Sequence, residues 1–314
     1  MSDPFTQAME LLLGDRPGRE EIEEAGRLFE RASAEGNSEA SERCAMFEAF
    51  GMARPQSWTR ALDMLALAAS QGSRCAQDQL LLFNDNEVDP NPVEETDWVS
   101  LRAGIDIDAR MQPGEKVALS EVPRVRTIKR FATAPECRFL IGLASERLVP
   151  ATVFSDADGE QTHHQARDNS YLVMRIGEMN VLTEVIRHRI SVATKLPVPL
   201  FEPSQLLHYA VGERFKPHHD FLDPANEAYR DTLSRFGQRI ATFLIYLNDA
   251  YSGGETSFPA IGLNFRAETG DALFFANVTR EGAPDPRTLH AGRPPLSGEK
   301  WVFSQWIRDR FPAA

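Results

Sequence analysis

The side chains best suited to metal chemistry lie in the last third of the sequence. His218 and Asp220 are two residues apart, so on a β-strand they point to the same side. His290 follows His218 by seventy-two residues, at the end of a second segment with strand character. Two imidazoles and one carboxylate can occupy one face of an octahedral Fe(II) ion and leave three positions open for other ligands. The pattern therefore predicts an iron site made by these three residues, called the triad below.

Lys300 is the next candidate, ten residues after His290 in the segment KWVFSQW. We expect this segment to return antiparallel beside His290, which would point the lysine into an apolar barrel. A buried ammonium without a partner is costly, so it needs an anion. The remote carboxylate of 2-oxoglutarate is suitable, because the other end of that molecule can chelate iron. Lys300 is therefore a candidate cosubstrate ligand.

Motifs around these residues extend the pattern. They are YAVGERFKPHHDF at 209–221, RIATFLIYL at 239–247, GGETSFP at 253–259, GDALFF at 270–275, HAGRP at 290–294 and KWVFSQW at 300–306. Together they resemble the prolyl 4-hydroxylase family of 2-oxoglutarate- and Fe(II)-dependent dioxygenases. The resemblance covers about residues 125–310 and leaves the N-terminal part of the chain outside it.

The resemblance implies a role for each matching residue. The triad would bind Fe(2+), and Lys300 would bind 2-oxoglutarate with help from the hydroxyls of Tyr209 and Thr256. Arg239 and Trp306 match positions that face a peptide groove. The implied reaction uses O2, releases succinate and CO2, and converts a prolyl residue of a peptide or protein to 4-hydroxyproline. L-ascorbate would serve to rescue oxidised iron.

The residues alone leave other interpretations open. The triad could be a hydrogen-bonded structural cluster, and Lys300 could lie on an edge strand. Tyr209 and Thr256 could be ordinary strand residues, Arg239 could form a surface ion pair, and Trp306 could belong to the core. For function, the alternatives are a hydroxylase of a free amino acid or small molecule and a non-catalytic repeat-based binding protein.

Short alternating segments separated by Gly, Pro and Asp begin at residue 204 and predict a strand-rich barrel or sandwich. Apolar positions at helical spacing predict helices over 134–146 and 179–195. Between them lies a polar loop, 155–170, which contains His163 and His164. With the resemblance, the expected class is α+β, with a C-terminal double-stranded β-helix (jelly-roll) and supporting helices.

The N-terminal part of the sequence repeats itself with a shift of 36 residues. Residues 25–44 align on 61–80, and Gly36 then falls on Gly72. The pattern predicts two helix–turn–helix units and resembles Sel1-like repeats, relatives of the tetratricopeptide repeat. A plain helical bundle is the alternative. The predicted divisions are an all-α repeat domain at 1–83, a linker at 84–120 and the oxygenase domain at 121–314. IDIDA and VALSEV, within 98–123, could be short strands.

The distribution of charge along the sequence indicates which kinds of partner the N-terminal part could bind. The whole net charge of −12 arises in residues 1–100, which hold 20 acidic and 8 basic residues. Such a surface disfavours nucleic acid and could suit a protein partner of the repeat domain.

The sequence contains no apolar stretch of about 18 residues, so we expect no membrane span. Three widely spaced cysteines and no signal-like N-terminus predict a cytoplasmic protein.

Overall fold

The structure is a computed structural model, and it describes residues 3–14, 17–84, 96–150, 153–154, 161–162 and 167–311. The chain divides into two units. The helical unit contains residues 1–112 and 175–189, and the sheet unit contains residues 113–174 and 190–314. None of the helices in the described ranges is long and apolar enough to cross a membrane.

Helices α1 to α7 belong to the helical unit. Their bounds are Pro4–Leu13, Arg19–Ala34, Ser38–Phe50, Trp58–Ser70, Arg74–Phe83, Trp98–Ala103 and Ile107–Arg110. Buried alanines line the contacts between successive helices, which lets the backbones approach closely. The predicted all-helical character of this part is confirmed.

The 36-residue shift in the sequence corresponds to a repeated local geometry. Gly36 and Gly72 end α2 and α4 with the same left-handed φ of +94°, a conformation that costs glycine little. The next residues, Asn37 and Ser73, cap α3 and α5 by accepting hydrogen bonds from the backbone N–H three residues on. The two helix pairs therefore share their turn and cap chemistry.

Residues 175–189 come from the middle of the chain but pack within the helical unit. They include the first part of α9, Val181–Thr194. Gln79 of α5, which is 1% exposed, accepts a hydrogen bond of 3.0 Å from the backbone N–H of Leu182. A backbone N–H of the first turn of α9, where such donors lack helical partners, is thereby satisfied by a side chain of α5.

The sheet unit contains sixteen strands in the described residues and the helices α8 and α10, which span Ala134–Ala144 and Arg230–Phe236. Strands β1 to β8 are Lys116–Ser120, Val125–Ile128, Val149–Pro150, Val153–Phe154, Gln161–Thr162, Ser170–Val173, Gln205–Tyr209 and Phe215–His218. Strands β9 to β16 are Arg239–Tyr246, Ser252–Gly253, Thr256–Phe258, Leu263–Phe265, Ala272–Ala276, His290–Gly292, Pro295–Ser297 and Lys300–Arg308.

These strands form two main antiparallel sheets. The larger has eight strands in the order β1-β2-β13-β9-β16-β7-β6-β3, and the smaller has four in the order β12-β11-β14-β8. Two short pairs, β4-β5 and β10-β15, are also present.

Side chains from both sheets form the core of this unit. Tyr246 of the larger sheet and Phe258 of the smaller are fully buried in one cluster with Leu273 and Phe275. The mixture of helices with antiparallel sheets agrees with the predicted α+β class and is consistent with a jelly-roll. The helices predicted over 134–146 and 179–195 correspond to α8 and α9.

The segment predicted as a linker, 84–120, contains regular structure. Residues 98–120 include α6, α7 and β1, while residues 85–95 lie outside the described part. VALSEV overlaps β1, but IDIDA, expected as a strand, contributes to α7. Asp106 explains the difference, because its side chain accepts a hydrogen bond of 3.0 Å from the Ala109 N–H and so caps a helix. His163 and His164 also lie outside the described residues.

Gly270 lies in the turn before β13, and Gly282, which follows that strand, provides a matched control for a substitution at Gly270. Both have positive φ, +83° and +86°, but an added Cβ would lie 2.0 Å from the Ala132 carbonyl oxygen only at Gly270. Gly282→Ala should cost about 1–2 kcal/mol for the left-handed backbone. Gly270→Ala should lower the free energy of unfolding by about 3 kcal/mol or more, since the backbone must also move. Urea unfolding measures both, and equal losses would contradict this packing.

Candidate active site

Pairing between β14 and β8 brings the two triad histidines together. His290 lies directly opposite His218 in the register of these strands. Asp220 follows β8 by two residues, in a bend, and its carboxylate is 4% exposed. The candidate ligand atoms of the three residues lie within 4.8 Å of one another. The spacing of 218 and 220, together with a distant histidine, thus produces one cluster.

Both imidazoles are oriented by the backbone. His218 Nδ1 lies 2.8 Å from the Lys216 carbonyl oxygen, and His290 Nδ1 lies 3.0 Å from that of Thr288. A carbonyl only accepts, so each Nδ1 carries the proton and donates it. In the neutral ring, Nε2 then has the free lone pair. Each Nε2 lies 3.5 Å from an oxygen of Asp220, on the side where a metal would bind.

The protonation states suit metal binding. Burial alone would raise the pKa of Asp220, but His290, His218 and the Thr242 hydroxyl outweigh it and hold that pKa well below its usual range. Burial, together with the neighbouring His218, lowers the pKa of His290 to about 4. At neutral pH the site therefore offers a carboxylate and a neutral imidazole, the forms that bind Fe(II).

Lys300 lies in the same pocket as the triad. Its side chain is 2% exposed, and Nζ donates a hydrogen bond of 2.7 Å to the Gly254 carbonyl oxygen. Nζ also lies 5.4 Å from the ring centre of Tyr209 and 5.3 Å from that of Tyr246. Burial lowers the pKa of Lys300 to about 7, so the buried ammonium lacks full compensation and would gain from an anion.

The hydroxyl groups near Lys300 include one that sequence reasoning missed. Tyr209 and Thr256, which the sequence proposes as cosubstrate ligands, line the pocket. The Thr256 hydroxyl, however, is hydrogen-bonded at 2.6 Å to the hydroxyl of Tyr246, a residue of the motif at 239–247 to which the sequence assigned no role. Tyr246 is four residues after Thr242 on β9, so both point to the pocket side of that strand. Polar residues at alternate positions of an apolar strand were the available signal.

Trp306 and Arg239 are in contact, but only Trp306 lines the pocket. The Arg239 guanidinium lies 3.7 Å from the ring centre of Trp306 and forms two hydrogen bonds with the Glu202 carboxylate, at 2.6 and 2.9 Å. Arg308 also pairs with Glu202, at 2.6 Å. The ion pair foreseen as an alternative for Arg239 is thus present, and it holds a cation against the pocket tryptophan.

Arg167 is a pocket residue that no sequence motif indicated. It is 8% exposed, and its guanidinium lies between the rings of Tyr171 and Phe215, 5.1 and 4.9 Å from their centres. Nε donates to the Asn169 side-chain oxygen at 2.6 Å. Nη2 is buried without a hydrogen-bond partner among the described residues. A buried donor of this kind is costly unless a ligand accepts from it.

These side chains line one pocket of the sheet unit. The donor set of two imidazoles and one carboxylate fits Fe(II). Phe215 stacks on the His218 ring, with ring centres 3.5 Å apart, and covers one face of that imidazole. The buried cation of Lys300 fits a carboxylate, and the free donor of Arg167 fits a neutral or anionic acceptor. The pocket therefore offers ligands for a metal, a cation for a carboxylate and a free donor for a further acceptor.

Comparison with known proteins agrees with this chemistry. Residues 204–308 match the family model described as the 2OG-Fe(II) oxygenase superfamily. The chain is 35% identical over 210 residues to probable prolyl 4-hydroxylase 10 of Arabidopsis thaliana, covering 60% of this chain and 70% of that protein. It is 37% identical over 209 residues to prolyl 4-hydroxylase 5 of the same plant, covering 60% and 69%. A crystal structure of a viral collagen prolyl hydroxylase from Paramecium Bursaria Chlorella virus-1 aligns with 26% identity and a TM-score of 0.45, covering 58% of this chain and 94% of that one.

The match over 204–308 contains the whole triad and Lys300, and together with the two plant relatives it identifies the protein as a 2OG-Fe(II) oxygenase, an enzyme that uses Fe(2+), 2-oxoglutarate and O2. Within that superfamily, the chain belongs to the prolyl 4-hydroxylase family. The family predicted from the sequence is confirmed, and with it Fe(2+), 2-oxoglutarate and O2, whereas L-ascorbate stays a prediction.

Lys300 should leave a signature in the pH dependence of stability. Its pKa is about 7 in the folded protein against 10.5 ordinarily, so above pH 7 the unfolded chain binds one more proton. Stability should therefore rise with pH in this window, by about 1.4 kcal/mol per unit. The measurement is urea unfolding of the ligand-free wild type and of Lys300→Met from pH 7 to 9. The difference between the two free energies should grow with pH, whereas a constant difference would show that Lys300 is not buried.

Proposed function

We propose that this protein hydroxylates prolyl residues of a peptide or protein to 4-hydroxyproline, with succinate and CO2 as coproducts. The observation that carries the proposal is one pocket lined by the triad and by Lys300, in a chain of the prolyl 4-hydroxylase family. The two sets of groups match the two reactants that must meet, a metal and a dicarboxylate.

In this proposal His218, Asp220 and His290 hold the iron. The bound Fe(II), with 2-oxoglutarate and O2, supplies the oxidising power that inserts an oxygen atom into a C–H bond. The protein residues orient the reactants and exclude water. Nδ1 donation to the backbone keeps both Nε2 atoms facing Asp220, so the ligands are preorganised before metal arrives.

Lys300, Tyr209 and Thr256 bind the remote carboxylate of 2-oxoglutarate. The ammonium of Lys300 supplies the charge, and the two hydroxyls can donate hydrogen bonds. Burial raises the pKa of Tyr209 to about 12, so its hydroxyl keeps its proton at neutral pH and remains a donor. Tyr246 orients the Thr256 hydroxyl through their 2.6 Å contact.

Trp306, Arg239 and Arg167 form the substrate side of the site. The Trp306 ring offers a flat apolar surface for a pyrrolidine ring of the substrate. Arg239, which is paired with Glu202, packs against the Trp306 ring and holds it in place. Nη2 of Arg167 is a free donor for a backbone carbonyl of the substrate. Arg239 therefore acts on the substrate through Trp306 rather than by direct contact.

The charge of the pocket favours a peptide over a free amino acid. A free amino acid brings an ammonium that needs a carboxylate, and the acid that lines the described pocket is Asp220, already engaged with the two histidines. A prolyl residue within a chain carries neither an ammonium nor a carboxylate. Its carbonyl needs only a donor, which Arg167 has available.

The helical unit would contribute a second binding surface. Its two helix pairs with matching turns support the assignment to Sel1-like repeats, and such arrays present extended surfaces to other proteins. Its acidic charge suits a basic protein partner. The proposal also includes a cytoplasmic location, supported by the free thiols of Cys44, Cys75 and Cys137, and L-ascorbate as the reductant that restores Fe(II).

The test is incubation of the purified protein with Fe(II), 2-oxoglutarate and a library of proline-containing peptides. We expect succinate release together with a +16 mass shift on proline, and loss of both in Asp220→Ala, because the triad then lacks its carboxylate. Ala substitution of His219, which points to Pro286 instead of the metal side, is the matched control and should retain activity. Turnover on free proline but not on peptides would favour the small-molecule alternative, and absence of succinate release with any substrate would favour a binding protein.

Arg167 gives a separate test of the substrate side. Arg167→Gln should raise the KM for a peptide substrate found in that assay by roughly tenfold or more, the size expected for loss of a charged hydrogen bond. The KM for 2-oxoglutarate should change less than about twofold. Arg147→Gln, at an exposed arginine outside the pocket, is the control. Steady-state kinetics with each reactant varied separates the two constants, and an effect confined to 2-oxoglutarate would refute this role.

A further inference from the structure

A buried chain of hydrogen bonds leads from the metal carboxylate to the end of β13. Thr242 Oγ1 donates to Asp220 Oδ2 at 2.6 Å, and Asn277 Nδ2 donates to Thr242 Oγ1 at 3.0 Å. Asp220, Thr242 and Asn277 are 4%, 1% and 0% exposed. Water therefore cannot readily replace either contact.

The direction of the chain follows from the donor groups. An amide nitrogen can only donate, so Thr242 Oγ1 accepts from Asn277 with a lone pair and its own proton must point elsewhere. The acceptor it meets is the Asp220 carboxylate. Asn277 thus determines that the threonine hydroxyl donates to the metal ligand. Without Asn277, the hydroxyl could rotate away from Asp220.

Asn277 is itself fixed in position by the backbone. Its N–H donates to the Ile240 carbonyl oxygen at 2.8 Å, and its own carbonyl accepts from the Asp285 N–H at 3.0 Å. These bonds tie it to β9 on one side and to the segment before β14 on the other. Asn277 does not line the pocket, whereas Thr242 does. It can therefore affect the site only through another residue.

We propose that Asn277 is a positioning residue for the metal centre, which sets the orientation of Asp220 through the Thr242 hydroxyl. The bond from Thr242 engages one carboxylate oxygen and restricts rotation of the group. Outer partners of metal ligands typically change metal affinity by about 10–100-fold when removed.

The experiment measures Co(II) binding, with Co(II) as a stable substitute for Fe(II), by calorimetric titration of the full chain. Asn277→Leu removes the donor at similar volume and should raise the Kd for Co(II) by about 10–100-fold. Thr242→Val should have a similar effect. The double variant should bind about as weakly as Thr242→Val, because Asn277 has nothing left to orient. Asn264→Leu, at an exposed asparagine of β12, is the control and should bind like wild type.

Thermal unfolding of the metal-free proteins shows whether a substitution weakens the fold itself and not only the binding of Co(II). If Asn277→Leu does not fold, the smaller Asn277→Ser replaces it in the same cycle. The inference is overturned if Asn277 variants bind Co(II) within about twofold of wild type, or if their effect persists undiminished in Thr242→Val. It rests on the proposed function only for the presence of a metal. Failure of the wild type to bind Co(II) would refute the metal site itself, whereas unchanged binding by the variants refutes only the role of Asn277.

Discussion

The pairing of His290 with His218 across β14 and β8 is the contact on which the site depends. It places the centres of the two imidazole rings 4.3 Å apart although 72 residues separate them in the sequence. Each ring is then fixed by a carbonyl two residues before it, so the same strand geometry sets both position and tautomer. Asp220 completes the cluster because the chain bends directly after β8. A slip of one residue in this register would turn one imidazole to the opposite face of its strand.

Charge burial explains the rest of the pocket. Lys300 and Arg167 are cations held at 2% and 8% exposure, an arrangement that costs free energy unless a ligand compensates it. Each lies against aromatic rings, and each retains capacity to bind an acceptor. Arg239, by contrast, is paired with the Glu202 carboxylate, lies against the Trp306 ring and does not line the pocket. The two cations that line the pocket can therefore still bind a ligand, whereas Arg239 already has a carboxylate partner.

The sequence was sufficient for the parts of the site that depend on local spacing. The i, i+2 relation of His218 and Asp220 and the strand character of 300–308 follow from periodicity, and the motifs indicated the family. Contacts that depend on tertiary packing were not accessible. Arg167 belongs to no motif, and its neighbour Phe215 is distant in sequence. The hydrogen bond from Thr242 to Asp220 requires the relative placement of β9 and the bend after β8. An apolar helix pattern predicted α9, but not that residues 175–189 belong to the helical unit.

The most direct test of the central claim is absorption spectroscopy in the absence of O2. Fe(II) chelated by the 2-oxo acid end of 2-oxoglutarate gives a charge-transfer band in the visible range, so the band reports metal and cosubstrate in one site. The account predicts this band for the wild type, and its loss when His290 is replaced by alanine. Absence of the band in the wild type, or its persistence without His290, would contradict the proposal that His218, Asp220 and His290 hold the iron.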